Sequence, residues 1–392
     1  MAVFLILLSG LFGDYLYNKL WFFYSTILLY LLVRILVFSK KKERYLALNK
    51  KNLLIYIFII YTCFSIFWSK DIEKSIQEIY FFFTASSLAL YIVSRFRYKD
   101  FIKIIEKVFL FILFFNIFII TFFPSYGIHS DFFHKGSWKG LYVHKNGYGT
   151  MMLLSSIFFF IKVTLQQTSY KRQKSLIYLI LSLISIICLY FSKSTTSLVI
   201  LVILISYIVI LSYWKKLKLQ LFVSILCFGI ALVLLIVLQT IHNSENILVG
   251  LGKDSTLTGR TEFWPIIFSY LRNDWIFGYG YGAFWSEKTG IISSISRVIG
   301  IDIYSSHNGF VDLYANLGVV GLYIFVFILL KGLILSIYKF RKEKNNKFAF
   351  ISFFLLVTIF LNITETRIIL ANYFYWITFL TSVIYLQKKE EI

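Results

Sequence analysis

Long apolar runs alternate with short, mostly basic interruptions along almost the whole chain, and that alternation predicts its architecture. A helix that crosses about 30 Å of hydrocarbon needs roughly 20 apolar residues, with about 17 to 25 tolerated. On that ruler twelve runs qualify, at approximately 1–17, 20–38, 52–68, 75–94, 104–123, 147–164, 175–191, 196–213, 219–241, 309–337, 348–363 and 368–386. The first is the weakest, being short and containing Gly10, Gly13 and Asp14. The expected fold class is an all-α polytopic membrane protein of about twelve transmembrane helices, with residues 1–392 forming one integral membrane domain.

The interruptions carry the orientation. Alternate connections hold Lys40 to Arg44 with Lys50 and Lys51, then Arg95 to Lys103, Lys162 to Lys174, Lys215 to Lys218, Lys339 to Lys347, and the tail Lys388 and Lys389. The intervening connections are poorer in Lys and Arg for their length. Because basic connections stay on the cytoplasmic side, both termini are expected inside, in a cytoplasmic membrane. Two long loops, 124–146 and 242–307, are then extracytoplasmic. Long connections in an otherwise tightly looped protein tend to be functional or disordered. In the second loop Trp264, Ile267, Phe268, Leu271 and Trp275 recur at helical spacing after Gly259, with Pro265 placed early. They predict a helix lying in the interfacial plane, its aromatic face in lipid and Arg260 at headgroup level.

Composition narrows the class. With 59% hydrophobic residues, 15% charged residues and two prolines, the chain is excluded from water-soluble globules. Its net charge of +21 would suggest nucleic acid in a soluble protein, but here it resides in the connections and speaks only of topology. No nucleic-acid partner is expected. Cys63, Cys188 and Cys227 lie in apolar runs and read as small buried hydrophobes. The N-terminus has no leading positive charge and no small-residue cleavage site, so no removable signal peptide is expected.

The candidate chemistry gathers in the loops, where each motif has a bland alternative. Arg260 follows Gly259 at the expected start of the interfacial helix, where backbone N–H groups and a guanidinium could meet an anion, or the side chain could simply touch headgroups. His307 and Asn308 precede a span with Asp312 in its first turn: Ser306 or Asn308 suits a helix cap, whereas capping needs no histidine, and a loop histidine can serve as general base. Gly278, Gly280 and Gly282 fail the dinucleotide spacing and read as tight turns. His129, His134 and His144 have no helical ligand spacing and no acid or cysteine with them, so no metal is expected. Lys145 and Asn146, at the lip of the sixth span, are candidates for phosphate or sugar contacts. Lys193, Glu365 and Arg367 lie at span ends, where an ionisable group is either functional or snorkelling to water. The chain has no Asp-x-Asp pair of the kind that holds Mg²⁺ for nucleotide-sugars, which points to chemistry without a metal or cofactor.

In order, Gly140-Leu141-Tyr142-Val143-His144-Lys145-Asn146-Gly147-Tyr148-Gly149, Ser194-Thr195-Thr196-Ser197-Leu198, Thr258-Gly259-Arg260 with Trp264, the glycine run 278–282, His307-Asn308 and Thr364-Glu365 resemble the superfamily of O-antigen ligases and Wzy-type polysaccharide polymerases. The resemblance implies a metal-independent membrane glycosyltransferase that takes a glycan from undecaprenyl diphosphate at the outer face. The family's loop arginine and histidine map onto Arg260 and His307, as catalytic residues. Its second arginine maps onto Thr195, a departure for which Lys193 and Lys145 are the candidate substitutes. Asn146, Asn308 and Glu365 complete the expected substrate contacts. The partners implied are the undecaprenyl-diphosphate-linked oligosaccharide, membrane lipid, and the flippase and chain-length regulator of the same pathway. A Lys, Ile, Phe, Tyr and Asn bias suggests an AT-rich genome and inclines the expectation to a polymerase for capsule, exopolysaccharide or O-antigen; ligase-type transfer to a terminal acceptor is the alternative. A flippase or transporter of lipid-linked sugars is the reading from another class, but transporters concentrate polar residues near mid-membrane rather than in loops.

Overall fold

A helix that is apolar all round has no solvated face and must be covered by other helices or by lipid. That is how the protein is built in the computed structural model, which describes residues 52–132, 134–164, 172–213, 256–300, 303–343, 345–367 and 373–388, with Met1, Ile27 and Tyr30. The helices are α1 (Leu53–Phe64, continued by a 3₁₀ turn Ser65–Trp68), α2 (Ile72–Arg95), α3 (Tyr98–Phe122), α4 (Lys145–Thr164), α5 (Arg172–Phe191), α6 (Thr195–Tyr213), α7 (Thr256–Tyr270), α8 (Ile291–Ile299), α9 (Gly309–Glu343), α10 (Asn346–Thr364) and α11 (Tyr373–Gln387). Six of these, α2 to α5 with α9 and α10, are long and apolar enough to cross a membrane. Shorter apolar helices, Leu53–Trp68, Thr195–Leu211 and Phe374–Gln387, lie where three further spans are expected. The chain is a multi-pass membrane protein. The spans expected at 1–17, 20–38 and 219–241 fall, single residues apart, outside the described residues.

Burial sorts centre from rim. The apolar windows of α10 and α4 are 83% and 78% buried, those of α3 and α5 only 39% and 28%, so α10 and α4 are the most enclosed of the spans and α3 and α5 the least covered by protein. Around the centre Phe82 packs on Trp376 and Tyr281 at ring-centroid distances of 4.9 and 5.2 Å, and Trp376 donates its indole N–H to Ser86 Oγ at 2.8 Å. Tyr281 comes from the glycine run of the long loop, yet it is fully buried in the membrane core and anchors that loop. Nearer the other end, Glu106 of α3 accepts from Lys162 of α4 at 3.1 Å and from Tyr178 of α5 at 2.8 Å, so the charges are paired where hydrocarbon would penalise them.

The long loop folds on its own apolar cluster, in which Phe263, Ile267, Leu271, Tyr279, Phe284, Ile291 and Ile295 close over Ala315 of α9. This corrects the expected interfacial helix in three ways. Ile267 and Leu271 face protein rather than lipid, and only Phe268 and Trp275 of the predicted stripe stay exposed. Pro265 is an interior residue, the tenth of fifteen, and not an early one. The loop also holds a second helix, α8, whose short periodic run Ile291, Ile292 and Ile295 was not expected.

The expected sheet-free character holds among the described residues, apart from one bridge between Ile128 and Trp138. That bridge orders the first loop, where Gly140 donates to the Gly127 carbonyl at 2.9 Å.

Candidate active site at the loop end of the bundle

The site is assembled where α9 begins. Asn308 caps that helix: its Oδ1 accepts from the N–H groups of Phe310 at 2.9 Å and Val311 at 3.2 Å, and its amide donates to the Ile363 carbonyl at 3.2 Å. The capping reading of Asn308 is thus the structural one, and its polar atoms are taken by the fold. Immediately before the cap, His307 adopts φ 52°, a left-handed conformation uncommon outside glycine.

Asp312 secures this turn from below. Its buried carboxylate accepts from the Ser306 N–H at 3.0 Å, from the Trp285 indole at 2.8 Å and, through its other oxygen, from the Thr366 hydroxyl. One side chain thereby fastens three segments: the His307 turn, the glycine-rich loop, and the stretch after α10 that carries Glu365. Trp264 of α7 adds a fourth, donating to the Ser306 carbonyl at 3.1 Å.

With those segments fixed, His307 Nδ1 lies 3.7 Å from Glu365 Oε2, while Glu365 Oε1 accepts from the Asn146 amide at 2.9 Å. Three of the residues singled out in the sequence therefore converge from three separate regions. His307 is half-exposed at 44% and Glu365 mostly covered at 16%, so the ring opens outward with a shielded carboxylate behind it. At 3.7 Å the pair is longer than a hydrogen bond; such contacts often tighten only when substrate is bound. Arg367 Nη2 also approaches Glu365 Oε2, at 4.0 Å.

The other predicted cations are arranged differently. Position 260 is the fifth residue of α7, not part of a preceding turn, so the free N–H groups of that helix belong to the four residues before it. Lys193, itself left-handed at φ 52°, donates to the Lys135 carbonyl at 3.1 Å, toward the first loop. Lys145 at the start of α4 is near enough to Lys193 for their charges to interact. Thr195 is exposed at the start of α6.

The histidines of the first loop form a cluster. His134 and His144 approach Nε2 to Nε2 at 3.1 Å, and His129 completes the group with ring centroids 5.5 and 5.7 Å away. An acid does accompany them, contrary to the sequence reading: Asp131 accepts from His129 Nδ1 at 2.7 Å. Among the described residues no group of three such side chains is placed to hold a metal ion. Burial, followed by the neighbouring histidines, pushes His144 down to about 4, even though the residue as a whole is exposed.

The loop is latched to the bundle from the opposite side. Lys70 pairs with Asp274 at 2.9 Å, Lys288 reaches Glu73 at 2.6 Å and Asp71 at 3.6 Å, and Asp71 also accepts from the Ser286 hydroxyl. Most telling is the break in α9 at Gly318 (φ 64°, ψ −172°). Val319 and Val320 donate to Trp275 and Ile276 at 2.9 and 3.4 Å, while Tyr279 and Gly280 donate to Ala315 and Asn316 at 3.0 and 2.9 Å. A Cβ on Gly318 would stand 2.0 Å from the Ile276 carbonyl oxygen, and one on Gly278 2.6 Å from the Gly318 nitrogen. Only glycine permits so close a crossing. Sequence reasoning took the run at 278–282 for turns and missed that it splices into a membrane helix; Gly318, inside an apolar run, was the available signal.

No curated protein matches the chain. Residues 180–326 match a family model described as O-Antigen ligase, a stretch that takes in Thr195, Arg260, the glycine run and His307 and leaves Asn146, Glu365 and Arg367 outside it. By that match residues 180–326 are similar to the O-antigen ligase family, the superfamily that the sequence motifs resemble.

Proposed function

We propose that the protein is a metal-independent membrane glycosyltransferase that polymerises undecaprenyl-diphosphate-linked oligosaccharide repeat units for capsule, exopolysaccharide or O-antigen. The observation that carries this reading is the His307–Glu365 pair, with the histidine half-exposed, at the loop end of a multi-pass bundle. A base oriented by a carboxylate is what deprotonation of a sugar hydroxyl requires. The acceptor oxygen attacks the anomeric carbon, its proton passes to His307 Nε2, and the bond to the diphosphate breaks with both electrons going to the leaving group. Glu365, facing Nδ1, stabilises the imidazolium that forms. Arg260, Lys145 and Lys193 are assigned to the diphosphate, since charge growing on the leaving group in a water-poor site is stabilised by fixed cations by several kcal/mol. Asn146 supports the pair through Glu365 rather than touching sugar. The polyprenyl tail stays in lipid while the diphosphate reaches the loop end, which accounts for a polar reaction on so apolar a chain.

Transfer to a terminal acceptor, the reaction named in the description of the matched family, would use the same donor and the same groups and differ only in the acceptor. Deleting the gene and analysing surface glycan and lipid-linked intermediates tests both. Loss of long chains with single lipid-linked repeat units accumulating is expected for the polymerase, and preformed lipid-linked polymer for the ligase. Complementation with His307→Ala should restore neither, its transfer rate being lower by about 10² to 10⁴. Unaltered glycan in the deletion strain would overturn the proposal.

A further inference from the structure

Arg367 has no role in the mechanism above, and its surroundings are unusual for a structural ion pair. Its backbone is held: the N–H donates to Asn362 Oδ1 at 3.2 Å, and Asn362 is itself tied to the Thr358 carbonyl at 2.7 Å. The side chain is only 17% exposed, yet its approach to Glu365 is 4.0 Å, outside hydrogen-bonding range, and its Nε is buried without a hydrogen-bond partner. An arginine that serves a carboxylate normally does so through its fork, Nε and one terminal nitrogen together. Here that edge of the fork is not spent on Glu365, whose other oxygen already belongs to Asn146. A covered guanidinium cannot shed its charge, and a buried donor left unmade is unfavourable, so an arriving anion that accepts from it is favoured.

The position suits such an anion. The Glu365 oxygen that Arg367 approaches is the one that faces His307. Without a cation there, Glu365 would repel a phosphate from the very place where the base works. The lysines are less suited to compensate: Lys193 is exposed and already donates to the Lys135 carbonyl. We infer that Arg367 is an anion-binding residue of the site, its fork receiving an oxygen of the leaving diphosphate beside His307. The inference rests on the reading that the donor is a polyprenyl diphosphate.

The test uses the full chain in lipid nanodiscs, with undecaprenyl diphosphate as the probe and undecaprenol as its uncharged control. Arg367→Gln should bind undecaprenyl diphosphate at least tenfold more weakly than the natural protein, with undecaprenol affinity unchanged. Arg367→Lys, which keeps the charge in the same surroundings but not the fork, should fall between the two, and it serves alone if the glutamine variant does not fold. If the natural protein prefers undecaprenyl diphosphate and both variants match it, the role of Arg367 is overturned and the donor reading stands. If the natural protein binds undecaprenyl diphosphate no better than undecaprenol, the donor reading falls and takes this inference with it.

Discussion

Glu365→Gln isolates the contribution of one charge. The amide oxygen can still accept from Asn146, so the link to the start of α4 survives and the fold should hardly change. What disappears is the negative charge 3.7 Å from His307 Nδ1. For two unit charges at that separation Coulomb's law gives about 4.5 kcal/mol at an effective dielectric of 20 and about 1 kcal/mol in water. His307 is 44% exposed and Glu365 16%, so screening places the value toward the lower limit, at about 2 kcal/mol. In the proposed mechanism the imidazolium forms as the acceptor proton moves, so this falls on the transition state and should slow transfer about 30-fold. The assay is single-turnover transfer by purified protein with a saturating lipid-linked repeat unit. If Glu365 acts through His307, its loss should cost almost nothing further in a His307→Gln background. A Glu365→Gln rate within twofold of the natural protein, or effects that multiply in the double variant, would refute the dyad.

Asp312→Ala leaves the Ser306 N–H, the Trp285 indole and the Thr366 hydroxyl without their acceptor and should destabilise the protein by about 3 kcal/mol or more, whereas Asp312→Asn, which keeps an oxygen for two of them, should cost about 1. Thermal unfolding in detergent decides, equal midpoints for the alanine variant and the natural protein being the contrary result. Gly318→Ala should be among the most damaging single-methyl additions in the chain, lowering folded yield sharply, because the new Cβ meets a backbone oxygen that cannot yield. Because His144 is held at about 4, below the ordinary 6.5, the unfolded loop takes up a proton before the folded one. The first loop should therefore keep its full stability above about pH 6.5 and lose it as pH falls from there through about 4. Hydrogen exchange at Gly136 to Gly140 reports this, and His144→Gln should flatten the dependence.

Hydropathy made the bundle legible because a span depends on local composition, which a sequence states directly. The same locality made the Asn308 cap and the turning glycines readable. His307, Glu365 and Asn146 could be picked out as charged or polar groups at span ends, but not that Asn146 would meet Glu365, since that contact depends on how the fold places α4 and α10, the most enclosed of the spans. Asp131 was not legible as a partner of the histidines because its pairing with His129 depends on the fold of the first loop, which ligand spacing does not state. The stripe is helical as far as Ile267, while Leu271 lies just past the end of α7, and the face assigned to lipid is covered by protein; periodicity reveals that a face is covered, not by what. Tyr281 shows the same limit from the other side, a loop residue fully inside the membrane core.

The crossing at Gly318 has a consequence for biogenesis. Had α9 been continuous, Val319 and Val320 would donate to Ala315 and Asn316, and those are the four groups now shared with residues 275–280. Two intrahelical bonds are replaced by four bonds to the loop, so no α9 group of the four is left without a partner by the exchange. The nascent helix can therefore enter the bilayer unbroken, every polar group satisfied, and receive the loop afterwards by strand-like invasion. On this order of events the bundle is finished before the loop is seated on it, and a chain arrested before the exchange would be inserted and intact but without its proposed site.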